Sequence, residues 1–146
     1  MISVRDASVR IYWATAVASS IFALITIFTR IEDASFGLAL WGLFLVVLGI
    51  AHTVVLVAMG RPAGWWTWWF GHSVWGVLVG SVTLWFSPSA SVALLLWSIA
   101  VWSVVGGSTS IVHGLRQDSA TPARSDWTIL GAGTLLLGFV AVIVPP

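Results

Sequence analysis

The feature that most constrains this chain is a series of five apolar stretches, each roughly 18 to 24 residues long and separated by short polar segments. A helix of about 20 residues rises about 30 Å, which is the thickness of the hydrocarbon layer of a bilayer. We expect an all-α fold, a polytopic bundle of five transmembrane helices in a single domain. The predicted spans are residues 11–29, 36–59, 68–86, 91–113 and 127–144 of the 146-residue chain.

The composition supports a membrane location and excludes several classes of protein. Only 8% of the residues are charged, whereas soluble domains carry about 25%. The chain has no lysine for a Schiff base and no cysteine for a disulfide or an iron–sulfur cluster. Its net charge of +1 offers no basic patch for nucleic acid. We therefore expect the lipid bilayer as a partner, without nucleic acid, metal or cofactor.

A two-helix unit recurs along the chain. The segment Ala34–Trp41 matches Ala90–Trp97 at five of eight positions, with an offset of 56 residues. Similarity at a fixed period is typical of repeat architectures. It predicts two and a half helical-hairpin repeats, at about residues 11–60, 67–116 and 125–146. The third unit would lack its second helix, either because the protein has five helices or because the chain continues beyond Pro146.

The arginines predict the orientation of the chain. In the five-span topology five of them fall on one side and only Arg30 falls on the other; the five are Arg5, Arg10, Arg61, Arg116 and Arg124. Basic residues are enriched in cytoplasmic loops. We therefore expect a multi-pass protein of a bacterial inner (plasma) membrane with a cytoplasmic N-terminus.

Tryptophans mark the same predicted side. The set consists of Trp13, Trp65, Trp66, Trp68, Trp69 and Trp127. Indole rings favour the headgroup region of a bilayer, so these residues are interpreted as an interfacial aromatic belt. An aromatic platform for a lipid, quinone or pigment is the alternative interpretation.

Small residues predict where the helices approach each other. Because lipid tails are as apolar as leucine, transmembrane helices associate through close packing of small side chains. Gly42 and Gly49 lie seven residues apart, as expected for one seam of a left-handed crossing, and the third helix carries a GxxxG motif. The predicted packing positions are Gly42, Gly49, Gly76, Gly80, Gly107 and Gly138. The predicted helix–helix contacts lie either within the chain or between the chain and a partner protein.

The pattern resembles the HdeD-like family of small integral membrane proteins, defined by the DUF308 repeat. The resemblance is carried by the stretch from Trp69 to Arg116 and by the one from Trp127 to Pro146. Its landmarks are Gly76, Gly80, Pro88, Trp97, Gly107 and Gly138. The resemblance implies a bacterial membrane protein, typically of six helices, with a link to acid resistance and no catalytic residues to carry over.

Three histidines are the candidate chemical groups. His52, His72 and His113 all fall near the predicted cytoplasmic side. Ionisable groups at membrane depth are functional candidates, and histidine changes charge near neutral pH. The three are interpreted as structural residues, as pH-sensing groups or as ligands of a haem or metal. None has a histidine counterpart in the repeat.

These observations predict a non-enzymatic membrane protein, because no nucleophile is paired with a base and a carboxylate. The leading hypothesis is a structural or accessory subunit of a membrane assembly, linked to acid stress. Its partner would be another membrane protein or a second copy of the chain. One alternative is a small oligomer that conducts protons or solutes through His52. Another is a subunit that binds a cofactor or lipid.

Overall fold

The computed structural model describes residues 13, 15–22, 24–25, 33–58, 65–89, 91–117 and 123–143. For residues 65–69 and 123 it describes the backbone alone. Helix α1 is represented by helical residues at 13, 15–22 and 24–25. The others are α2 (Ala34–Ala58), α3 (Trp65–Phe86), α4 (Val92–Arg116) and α5 (Ala123–Ile143). A short 3-10 turn, Ser87–Ser89, follows α3.

Local hydrogen bonds define where the helices begin and end. Asp33 caps α2, since its Oδ1 accepts a hydrogen bond of 2.9 Å from the backbone N–H of Ser35. After α3, the Ser87 hydroxyl donates to the Leu84 carbonyl at 2.8 Å, next to a proline that cannot continue the helix. At the end of α4, the Gln117 N–H reaches the Gly114 carbonyl at 3.1 Å, which tightens the last turn.

The chain divides into two compact units between Ser91 and Val92. In unit 1, α2 packs against α3, and in unit 2, α4 packs against α5. Buried positions on α2 recur with alternating spacings of four and three residues. These six of the nine buried positions on α2 are Leu38, Gly42, Leu45, Gly49, His52 and Leu56. A 3.5-residue repeat of this kind keeps one seam turned toward a partner helix and is typical of a left-handed crossing.

The α2–α3 contact is a backbone-to-backbone approach at glycine. A Cβ added to Gly42 would lie 2.8 Å from the Gly80 carbonyl oxygen, and one added to Gly80 would lie 2.6 Å from that of Gly42. Seven residues further along α2, Gly49 meets Ser73, seven residues earlier on α3. The helices are therefore antiparallel, and only glycine leaves room for this approach.

Unit 2 contains a matching contact. A Cβ added to Gly107 would lie 2.8 Å from the Gly131 carbonyl oxygen, and the reverse distance is 2.6 Å. Gly114, seven residues after Gly107 on α4, meets Arg124, which lies seven residues before Gly131 on α5. Gly107 and Gly114 of α4 thus correspond to Gly42 and Gly49 of α2.

The outer surfaces of the described helices are apolar. Large hydrophobic side chains are exposed along all of them, for example Leu43 and Val54 on α2, at 51% and 61% exposure. Several hydroxyl side chains bond to their own helix, as Thr83 does to the Val79 carbonyl at 2.7 Å. Three helices are long and apolar enough to cross a membrane: Ala34–Ala58, Val92–Arg116 and Arg124–Ile143. A surface of this kind suits hydrocarbon.

The prediction of an all-helical chain with five helices is confirmed for the described residues. The observed bounds of α2 and α3 lie within about three residues of the predicted spans, the usual uncertainty of a helix end. The predicted hairpin repeats, the spanning role of α1 and α3, and the orientation stay predictions.

The glycine contact makes a testable prediction. We expect Gly42→Ala to lower the free energy of unfolding by about 1–3 kcal/mol, because the new methyl group would clash with the backbone of α3. Reversible unfolding in mixed micelles would measure the change. The matched control is Gly71→Ala, since a Cβ there meets no atom within 4 Å. Equal destabilisation by the two variants would contradict the proposed importance of the crossing.

Candidate functional site

His52 occupies a position where three helices meet. It lies on the α2 seam, three residues beyond Gly49, and is only 3% exposed. The glycine approach at Gly49 brings α3 close, so the side chain of His52 is enclosed rather than turned to the surface. A buried imidazole requires polar partners, because desolvating it without hydrogen bonds is costly.

The first partner comes from α1. Thr15 Oγ1 lies 2.8 Å from His52 Nε2, a normal hydrogen-bond distance. The hydroxyl donates when that nitrogen is bare, and it accepts when the nitrogen carries the proton. Thr15 is therefore compatible with either neutral tautomer of His52.

The second neighbour comes from α3. The ring centroids of His52 and His72 are 6.3 Å apart, with planes inclined by 34°. His72 is half-buried, next to the fully buried Ser73. Two positive imidazolium rings at this separation would repel strongly in a medium of low dielectric constant. We call Thr15, His52 and His72 the histidine site.

Unit 2 builds the same helix crossing with other residues. Alignment of Gly49 with Gly114 places Gln117 at the position of His52. On the partner helix, alignment of Gly80 with Gly131 places Ala123 at the position of His72. The crossing therefore forms without a histidine pair, and packing alone does not require one.

The third histidine belongs to unit 2 and has contacts within that unit. His113 is buried in unit 2, at 7% exposure. The Gln117 side-chain N–H donates to its Nε2 at 3.0 Å. Its ring meets the Trp127 ring edge-on, with centroids 5.3 Å apart. These contacts give His113 a local packing environment within one unit.

The predicted aromatic belt is divided between different environments. Trp13 is 68% exposed, as suits an interfacial ring, whereas Trp127 is 6% exposed and packs against His113. The side chains of the remaining four lie outside the described residues: Trp65, Trp66, Trp68 and Trp69. Sequence reasoning overlooked two other exposed indoles, Trp85 and Trp97, each near a helix end.

The remaining predicted packing glycines also lie in helix interiors. Gly76 is buried on α3, and Gly138 of α5 faces Ser103, whose Cβ would lie 2.7 Å from a Cβ added to the glycine. Sequence reasoning missed Gly114 and Gly131, which complete the unit 2 crossing. Gly114 lies seven residues from Gly107, and Gly131 lies seven residues from Gly138. This spacing is the sequence pattern that indicates them.

The packing limits what the histidine site can hold. A porphyrin between α2 and α3 would have to separate the helices next to His52, yet a Cβ added to Gly49 would lie only 2.6 Å from the Ser73 carbonyl oxygen. Within the described ranges, no group of three or more His, Cys, Asp or Glu residues could hold a metal ion. Each of the two imidazoles is a group that can bind a proton.

The chain matches no family model, and no match was found among curated proteins or solved structures. The resemblance to the HdeD-like family therefore stays a prediction from the motifs.

The Thr15–His52 contact can be measured by a double-mutant cycle. We expect Thr15→Val and His52→Leu to show a coupling energy of about 0.5–1.5 kcal/mol in unfolding, because each removes the same hydrogen bond. In the control cycle, Thr83→Val replaces Thr15→Val, since the Thr83 hydroxyl bonds within α3. That pair should be additive within about 0.5 kcal/mol. Additivity in both cycles would contradict the contact.

Proposed function

We propose that this chain is a non-enzymatic, multi-pass accessory subunit of a bacterial inner-membrane assembly, and that it responds to acid through the histidine site. The observation that carries the proposal is the burial of His52 beside His72 and Thr15, at a position that the helix crossing itself does not require. A buried ionisable group that packing does not need is a functional candidate.

The surroundings of the site favour proton sensing over proton transport. Beyond His52 the α2 seam is filled by Leu45 and Leu38, both at 0% exposure, and by the Gly42–Gly80 backbone contact. Conduction needs a continuous line of polar groups or water. Among the described residues of α2 and α3, this stretch of the seam is closed, and Leu56, at 0% exposure, fills the seam on the other side of His52. Both observations support a site without a conducting path along the seam.

The hydroxyl groups near His113 support a non-enzymatic role. Thr109 donates to the Val105 carbonyl and Ser110 donates to the Gly106 carbonyl, both at 2.8 Å. A nucleophile needs a base that takes its proton, and that base needs an orienting group. Hydroxyls bonded to their own helix satisfy the backbone instead.

Histidine protonation can be observed directly. The chain has three histidines, so nitrogen NMR of protein labelled at histidine in a bilayer gives three sets of signals. We expect the His52–His72 pair to take up one proton between about pH 8 and about pH 3, because a second positive ring 6.3 Å from the first would be repelled. His52→Gln, which copies unit 2, removes one set and shifts the titration of His72. Signals from this pair that stay constant over the range would overturn the proposal.

Flux measurements separate sensing from conduction. We expect liposomes that contain the protein to be no more permeable to protons than empty liposomes at about pH 5, because the seam is closed between Leu45 and Leu38. A pH-sensitive dye inside the vesicles would report the flux. A proton flux that disappears in His52→Gln but persists in His113→Leu would establish conduction and refute the sensing role.

The accessory role is tested in the native membrane. Purification in mild detergent at about pH 7.5 and about pH 4 should give a complex whose composition changes with pH. His52→Gln should abolish that change while His113→Leu retains it. A monomer at both pH values would argue against the accessory role.

A further inference from the structure

We infer that Thr15 is a positioning residue of the histidine site, and that its hydroxyl directs the proton taken up by the pair to His52 rather than to His72. This role depends on the proposed acid response and names the group that decides which ring becomes charged. Its basis is the contact between Thr15 and one ring of the pair.

The two rings compete for one proton. Their centroids lie 6.3 Å apart, so a charge on one ring opposes a charge on the other. Groups that interact in this way titrate as a pair, although two histidines have the same ordinary affinity for a proton. The surroundings of each ring therefore decide where the proton lies.

The hydroxyl of Thr15 can serve both states of His52. At 2.8 Å from Nε2, Oγ1 either donates to the bare nitrogen or accepts from the protonated one. In the charged ring Nε2 carries a hydrogen, and the same oxygen accepts it without a change of partner. A hydrogen bond from an ionised donor is about twice as strong as one between neutral groups. The contact therefore gains strength when the proton lies on His52.

Apolar packing keeps the hydroxyl within reach of His52. The half-buried positions Thr15, Ala18, Phe22 and Ile25 follow a 3-4-3 spacing along α1. Two turns from Thr15, the Phe22 ring lies 4.8 Å from that of Phe44 on α2, measured between centroids. This spacing is typical of one helix face turned toward its neighbour, and it places Thr15 on the face that meets α2.

The titratable groups around His52 can be named for each described element of unit 1. The one that faces it from α3 is His72. The described residues of α1 include no titratable side chain, and His52 is the only one within α2. Asp33 caps α2 at its opposite end. In this part of the molecule, acid therefore acts at the site through the two imidazoles.

Nitrogen NMR of histidine-labelled protein in bilayers resolves the two rings, and His52→Gln and His72→Gln assign their signals. The measured quantity is the ratio of charged His52 to charged His72 as the pH falls from about 8 to about 3. Thr15→Val keeps the shape of the side chain without the hydroxyl, and Thr15→Ser keeps the hydroxyl. The matched control is Thr53→Val, next to His52 in sequence, whose hydroxyl donates to the Gly49 carbonyl at 2.9 Å.

We expect a ratio above one in the unmodified protein and a fall of about tenfold in Thr15→Val, because a hydrogen bond to a charged ring is lost. Thr15→Ser and Thr53→Val should keep the original ratio. A ratio below one in the unmodified protein, an unchanged ratio in Thr15→Val, or an equal fall in Thr53→Val overturns this role of Thr15. If the pair still titrates, the proposed acid response survives that failure; if neither ring takes up a proton, both fail.

Discussion

The close approach of two backbones at glycine is the contact on which both units depend. Hydrocarbon chains compete equally with apolar side chains, so leucine surfaces give transmembrane helices little reason to associate. Gly42 against Gly80, and Gly107 against Gly131, replace that missing attraction with dense van der Waals contact. Each glycine pair sets the register of its helix crossing, and the other seam positions follow from it at intervals of three and four residues.

Because glycine provides the attraction, the other seam positions are free to differ between the units. Leu38 and Leu45 of α2 correspond to Ser103 and Ser110 of α4, yet both crossings close to the same distances. The same freedom accommodates His52 near the end of one seam, one turn before Leu56. The imidazole of His52 therefore lies near the end of α2, where it does not disturb the contact between Gly42 and Gly80.

Periodicity and length allowed the helices to be predicted, since five apolar stretches of bilayer length have few other outcomes. The seven-residue spacing of Gly42 and Gly49 also indicated one seam. Sequence could not identify which helix that seam would face, because small residues are plentiful on every helix. The same limit hid the site: Thr15 lies 37 residues from His52 in sequence, and no local pattern connects a threonine on α1 with a histidine on α2.

The seven-residue spacing of the glycines leaves the register ambiguous. A slide of one heptad, about 10 Å along the axis, would bring Gly49 opposite Gly80 and preserve a glycine contact. In water such a hairpin could populate both alignments. In a bilayer the slide would carry the polar end of one helix into hydrocarbon and the apolar end of the other into water. Where α2 and α3 both span a bilayer, as the sequence predicts, its thickness would select the alignment, and His52 would face Thr15 and His72 only where both helix ends stay level.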